Sequence, residues 1–179
     1  MDLIAGCGYV GQRLARALGA DQVIGLVRSR ASALNLERQG LASLRLDLDD
    51  DAAIRLPDDV SRVFYLLPPP PRGDTDPRMQ RFLQAAAAAP PGQILYISTT
   101  GVYGDCQGDW IDETRPLQPG AARSHRRVDA ERQLQQFSDA HGTQILVLRV
   151  AGIYGPGKLP LTRLAQRQPM IAAGDAPWT

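Results

Sequence analysis

The run Leu3-Ile4-Ala5-Gly6-Cys7-Gly8-Tyr9-Val10-Gly11 sets a short apolar strand directly against a Gly-x-Gly-x-x-Gly turn. The turn opens an amphipathic helix that carries Val10, Leu14, Ala17 and Leu18 on one side. Each glycine has its own task. Gly6 permits a tight turn, Gly8 lets the backbone approach a pyrophosphate, and Gly11 lets the helix lie close to the strand. Phosphate charge would then meet unpaired N–H groups at the helix N-terminus. Gly6, Cys7, Gly8, Tyr9, Val10 and Gly11 are therefore candidate contacts to a nicotinamide dinucleotide, with a purely structural turn as the competing reading.

The end of the second expected strand bears on the choice of cofactor. In Val23-Ile24-Gly25-Leu26-Val27-Arg28-Ser29-Arg30, Arg28 stands where an acidic residue would hold the ribose 2′-hydroxyl of NAD, with Ser29 and Arg30 beside it. A guanidinium can grip a 2′-phosphate through two parallel hydrogen bonds, whereas a carboxylate would repel it. NADP(H) is thus expected over NAD(H), through Arg28 and Ser29. Solvated charges at the start of a loop are the plainer alternative.

Apolar strand-like segments alternate with helical ones along the whole chain. Strands are expected at 2–5, 22–27, 43–46, 62–67, 93–99 and 144–149, and helices at 9–18, 32–39, 77–89 and 122–141. Gly19, Gly40 and Gly142 each follow a helix. This order predicts an α/β fold, a doubly wound parallel sheet with helices on both faces. Pro68 to Pro71 cannot continue a ladder, so the fourth strand should run out through Leu66 and Leu67 into an extended loop on the cofactor side. Leu66 and Leu67 join the candidate cofactor contacts.

Charge is nearly balanced, with 20 basic and 19 acidic residues, so there is no general attraction to nucleic acid or to a membrane surface. No extended apolar run and no cleavable signal pattern occurs, which leads to the expectation of a cytoplasmic protein with a small-molecule substrate. Cys7 and Cys106 are distant in sequence, and His125 and His141 have no metal-ligand spacing with them or with each other, so reduced thiols and no metal are expected.

Two further runs make the pattern specific: Ile94-Leu95-Tyr96-Ile97-Ser98-Thr99-Thr100-Gly101-Val102-Tyr103-Gly104, and Arg149-Val150-Ala151-Gly152-Ile153-Tyr154-Gly155-Pro156-Gly157. With the N-terminal glycines, they resemble the extended short-chain dehydrogenase/reductases, the nucleotide-sugar epimerase/dehydratase family. The resemblance implies a Rossmann fold across 1–179, with 150–179 beginning a substrate-binding part that extends further in the family. It also implies that Asp47 contacts the adenine, that Glu113 belongs to the segment before the catalytic helix, and that Thr99 hydrogen-bonds the substrate carbonyl. Asp47 can equally cap the turn after its strand, and Thr99 can serve as a turn-forming hydroxyl.

The family's Tyr-x-x-x-Lys pair is missing. Aligning Glu131 with the glutamate after the family's lysine puts Arg127 at the lysine position and Arg123 at the tyrosine position. Lys158 is the chain's only lysine, and no tyrosine lies between Tyr103 and Tyr154. Tyr154 and Lys158 have the right count, but Pro156 between two glycines argues against a helix that would align them. Arginine stays protonated at ordinary pH and cannot replace a tyrosine that gains and loses a proton. Tyr103 is the first candidate for a replacement acid and His125 the second, while a pocket wall and a solvated helix residue are their respective plainer roles. Arg123 and Arg127, one helical turn apart, are candidate anion contacts, with a solvent-facing basic helix as the alternative. A further helix is expected at 159–168. Apolar surface left uncovered near the C-terminal part would favour a homodimer. An NAD(P)-dependent epimerase, dehydratase or reductase with an altered site and a noncatalytic NADP(H)-binding module or redox sensor both remain open.

Overall fold

Six short strands account for the organisation of the chain: β1 (Asp2–Ala5), β2 (Val23–Val27), β3 (Ala42–Arg45), β4 (Arg62–Tyr65), β5 (Gln93–Thr99) and β6 (Gln144–Val150). The computed structural model describes residues 1–50, 53–159, 161 and 165. The strands form one sheet in the order β3-β2-β1-β4-β5-β6, and every adjacent pair is parallel. The chain builds outward from β1 to β3 and then crosses to the other side of β1 to lay down β4. That reversal opens a crevice at the carboxyl ends of the central strands, the general ligand position of open α/β sheets.

Alternation along the strands supplies both faces of the core. Leu3, Ala5, Val63, Tyr65, Ile94 and Tyr96 point to one side, where they pack with Met79, Phe82, Leu134 and Phe137. The last four come from α3 (Pro77–Ala86) and α4 (Ala122–His141). Ile4, Val23, Val27 and Phe64 point to the other side, against Ala15 and Leu36. Those two residues belong to α1 (Tyr9–Leu18) and α2 (Arg30–Glu37). Val102, Tyr103 and Cys106 form a small third cluster with Ile111, Leu117 and Val128.

Several boundaries differ from the sequence expectation. Helix α2 starts at Arg30 because Ser29 is the cap, its hydroxyl accepting from the Ser32 N–H at 3.1 Å. Helix α3 ends at Ala86, where the Ala89 N–H tightens onto the Ala86 carbonyl and Pro90 ahead bars continuation. Strand β4 ends at Tyr65, beside the point where its partner β1 bends away at Gly6. On α1 the buried residues are Gly11 and Ala15, and Ala17 is exposed rather than part of the apolar side. A 3-10 helix, Thr100–Tyr103, follows β5 where only a turn was expected. The helix expected at 159–168 lies largely outside the described residues.

Candidate functional site: a glycine-floored cleft and an adjoining arginine-walled cavity

At the carboxyl ends of β1, β2 and β4 lies a cleft of about 700 Å³. Gly6, Cys7, Gly8, Tyr9 and Val10 form its floor, Arg28 and Ser32 stand on one side, and Leu66, Leu67 and Pro68 on the other. Gly6 has a φ of +89°, and a Cβ there would sit 3.0 Å from the Leu67 N and 3.1 Å from the Leu66 carbonyl carbon, so this position excludes other residues twice over. The Gly6 and Cys7 N–H groups both donate to the Leu26 carbonyl, at 3.0 and 3.1 Å, which fastens the turn to β2. Gly11 lies beneath the floor, where a Cβ would stand 2.9 Å from Ile4 Cγ2, so it serves helix-to-strand packing and does not line the cleft.

Helix α1 begins here with Gly8 as its cap residue, without a side-chain cap and without an acidic residue in its first turn. The positive end of its dipole is left for an anionic ligand. Cys7 is buried, and burial pushes its thiol up to about 11, so it lines the cleft as a neutral apolar group. Cys7 and Cys106 are both free, and no group of His, Cys, Asp and Glu able to hold a metal occurs among the described residues.

Arg28 is exposed at the mouth, with Nη1 3.9 Å from Asp49 Oδ2. Asp49 belongs mainly to Arg78, whose Nε donates to Oδ1 at 2.6 Å and whose Nη1 donates to the Pro68 carbonyl at 3.0 Å. Arg78 thereby ties the segment after β3 to the proline loop after β4, and its hydrogen bond holds the Asp49 carboxyl below the usual carboxylate range. No local sequence signal announces this link.

Ser29 and Asp47 each hold a local turn. Both were expected to touch cofactor, but neither lines the cleft: Ser29 caps α2, and Asp47 Oδ1 accepts from the Asp49 N–H at 3.0 Å, closing its own turn. Arg30 likewise opens onto a different surface, beside Glu37 and Ser43. Lys158, set aside in the sequence reading, does line the cleft. The loop after β6 carries it there, held where the Tyr9 hydroxyl donates to the Pro156 carbonyl at 3.0 Å.

A second cavity of about 310 Å³ adjoins the cleft and shares Pro68, Ile97 and Ile153 with it. Thr99, Arg123, Arg126 and Arg127 line this second space. The Thr99 hydroxyl accepts from the Gly101 N–H at 3.2 Å, capping the 3-10 helix while still facing the cavity lining. Arg127 is a strut: its Nη1 donates to the Ile97 carbonyl at 2.7 Å and to the Tyr96 hydroxyl at 3.1 Å. Burial pushes the Tyr96 phenol up to about 12 despite the neighbouring guanidinium.

Tyr103 and His125, the candidate replacement acids, lie outside both cavity linings. Tyr103 is 6% exposed within its own apolar cluster, lines neither cavity, and its hydroxyl accepts from Arg149 Nη1 at 2.9 Å. Arg149 also donates from Nη2 to Glu131 Oε2 at 2.8 Å, and Glu131 in turn accepts from Ser98. This Ser98–Glu131–Arg149–Tyr103 chain locks β5, α4 and β6 together. His125 is exposed and lines neither cavity.

A parallel doubly wound sheet with a glycine turn and an uncapped helix start at its switch point defines a Rossmann-type nucleotide-binding protein. Its family follows from comparison: the chain belongs to the NAD-dependent epimerase/dehydratase family, whose model matches residues 3–173. Protein YeeZ of Escherichia coli K12 is 29% identical over 168 residues, which cover 88% of this chain and 60% of that protein. A conserved protein of unknown function from Silicibacter pomeroyi superposes with a TM-score of 0.72 at 36% identity, over 91% of this chain and 56% of that one. UDP-glucuronic acid 4-epimerase from Bacillus cereus, crystallised with NAD, superposes with a TM-score of 0.73 at 19% identity, over 96% of this chain and 65% of its own. The chain therefore spans about 60% of the length of its curated relative YeeZ.

Proposed function

We propose that this chain binds NADP(H) in preference to NAD(H) and serves an epimerase, dehydratase or reductase reaction on a nucleotide-sugar or another small carbonyl or hydroxyl substrate. The observation that carries the reading is the cleft itself: a glycine floor, an uncapped helix start and an exposed Arg28 at the mouth. That surface fits a dinucleotide diphosphate, and Arg28 with Lys158 supplies positive charge for a further phosphate. A nicotinamide cofactor, when bound, supplies hydride transfer. In this reading the Thr99 hydroxyl donates a hydrogen bond to the substrate oxygen while Arg127 keeps the ends of β4 and β5 in register.

The B. cereus epimerase and the family match support the substrate class. The reading also takes residues 150–179 as the start of a substrate-binding part and the protein as cytoplasmic; no helix among the described residues is long and apolar enough to cross a membrane. Leu146 and Leu148, 45% and 38% exposed on β6, support pairing of two copies, which sedimentation velocity would test.

The testing experiment is a fluorescence titration with NADPH and NADH at fixed salt, since phosphate recognition is screened by ions. Arg28→Glu should erase roughly tenfold of NADPH preference, about one charge-assisted hydrogen bond at an exposed site. An unchanged preference ratio would remove Arg28 from the assignment. Thr99→Val should abolish turnover, read as product formation and, for a reductase, as NADPH consumption, in a screen of UDP- and dTDP-sugars while cofactor affinity stays within about twofold, because its hydroxyl acts on substrate. Equal turnover would exclude Thr99.

One observation favours the second reading, a noncatalytic NADP(H)-binding module. Arg127 is committed to the Ile97 carbonyl, and the described lining of the adjoining cavity offers arginines and hydroxyls but no histidine, carboxylate or tyrosine to move a proton. Tight NADPH binding without turnover across the screen would select it.

A further inference from the structure

The cavity beside the cleft has a charge imbalance that the fold alone does not explain. Three arginines, Arg123, Arg126 and Arg127, stand in its lining, and among the described residues no carboxylate lines it. Arg126 is only 5% exposed, yet among the described residues its one hydrogen-bonded partner is the neutral carbonyl of Gly73, and its buried Nε–H finds no acceptor there. Arg127 is tied to the Ile97 carbonyl and the Tyr96 hydroxyl, with the buried Asp76 as the carboxyl that feels its charge. Arg123 is exposed, and among the described residues it has neither a hydrogen-bond nor an ion-pair partner.

Keeping an arginine buried against a carbonyl alone is costly, because desolvation of the charge is not offset by an opposite one. A donor left without an acceptor adds to that cost. An anion seated in the cavity would offset the first of these costs, the uncompensated charge. The planar guanidinium fork suits an oxyanion with two or three oxygens, and Arg123, one turn before Arg127 on α4, lines the cavity without a hydrogen-bond or ion-pair partner for its fork among the described residues. Pro68 to Pro71 form the opposite wall, which presents no N–H of its own and leaves the arginines to dominate recognition.

We propose that this cavity is an oxyanion subsite that takes a carboxylate or phosphate group of a small substrate next to Thr99. The inference deepens the reading of the adjoining cleft as a dinucleotide site and rests on it for the position of the reacting group. It would make the preferred substrate an acid or a phosphate ester with its charged group close to the reacting carbon, rather than a neutral sugar ring.

Calorimetric titration of the purified chain with malonate and with inorganic phosphate, each with and without saturating NADPH, tests the proposal, with sodium chloride at equal ionic strength as the blank. Saturable binding of either anion in the presence of NADPH is expected, and the tighter of the two identifies carboxylate or phosphate as the natural group. Arg123→Gln should weaken that binding about tenfold, one charge-assisted contact, while Arg123→Lys recovers part of it and NADPH affinity stays unchanged in both. Among the described residues Arg123 has no hydrogen-bond or ion-pair partner, so neither change should disturb folding.

Absence of saturable anion binding by a chain that still binds NADPH would overturn the subsite and leave the cofactor reading standing. Equal binding by Arg123→Gln, or displacement of NADPH by the anion, would overturn it as well, the latter by placing the anion on the glycine turn. Should NADPH itself fail to bind, the titration without cofactor decides the subsite separately.

Discussion

Gly25 offers the sharpest test of how packing sets the cofactor floor. It lies in the middle of β2 on the face covered by α1 and α2, and a Cβ there would stand 2.8 Å from Leu36 Cδ1, 2.9 Å from Cys7 Cβ and 3.0 Å from Cys7 Sγ. Leu36 is fully buried and Cys7 is 2% exposed, so neither has free space to retreat into. Gly25→Ala should therefore cost about 1–3 kcal/mol in overpacking. Removing a glycine's backbone freedom from a strand returns roughly 0.5–1 kcal/mol, which leaves a net loss centred on about 1 kcal/mol, or a fall in Tm of roughly 2–4 °C for a chain of this size.

The displacement of Cys7 carries the effect to function. The Cys7 N–H is held by the Leu26 carbonyl at 3.1 Å, one residue from the substitution, so moving Cys7 tilts the turn that should meet the diphosphate. NADPH affinity should weaken about three- to tenfold, roughly the loss of one hydrogen bond. Urea unfolding followed by circular dichroism, with NADPH fluorescence titration on the same preparations, measures both. Adding Cys7→Gly removes two of the three close contacts, so the double variant should be more stable than the sum of the single effects by about 0.5–1 kcal/mol. Wild-type stability and affinity in Gly25→Ala, or strict additivity in the cycle, would refute the reasoning.

The Glu131–Arg149 pair predicts a purely structural loss. Its side chains are 9% and 21% exposed, and Arg149→Met would strand a nearly buried carboxylate, so urea unfolding should show about 2–4 kcal/mol of destabilisation, with part of it recovered by adding Glu131→Gln. A change under about 0.5 kcal/mol would show that the network adds nothing. Arg78 predicts a pH dependence: its hydrogen bond lowers the folded-state pKa of Asp49 below the unfolded value, so that stabilisation is present above roughly pH 4 and is lost as pH falls through the folded value. The stability gap between wild type and Arg78→Met, measured by urea unfolding across pH, should accordingly narrow in acid, and a gap that stays constant there would exclude the pair as its source.

What the sequence determined was whatever depends on neighbours a few residues apart. The strand, glycine turn and helix at 2–18, the alternation that sends Leu3 and Ile4 to opposite faces, and the αL glycine that closes α4 at Gly142 are all set by local sterics and periodicity. From these the parallel α/β class and the cleft floor follow. Ser29 was expected beside Arg28 at the cofactor, and its cap on the Ser32 N–H is a local contact of the helix start.

Only the tertiary structure decided the fates of the long side chains, because their partners lie far away along the chain. Arg127 finds the Ile97 carbonyl, Arg78 finds Asp49, Arg149 finds both Glu131 and Tyr103, and Tyr9 reaches Pro156 across nearly the full length of the described fold. A residue type specifies which bonds a side chain can make, but the parallel stacking of β1 to β6 specifies which donors and acceptors come within 3 Å. That is the physical reason Tyr103, a plausible acid by composition, is sealed against Arg149, while Lys158, with no helical pairing to recommend it, stands at the cofactor cleft.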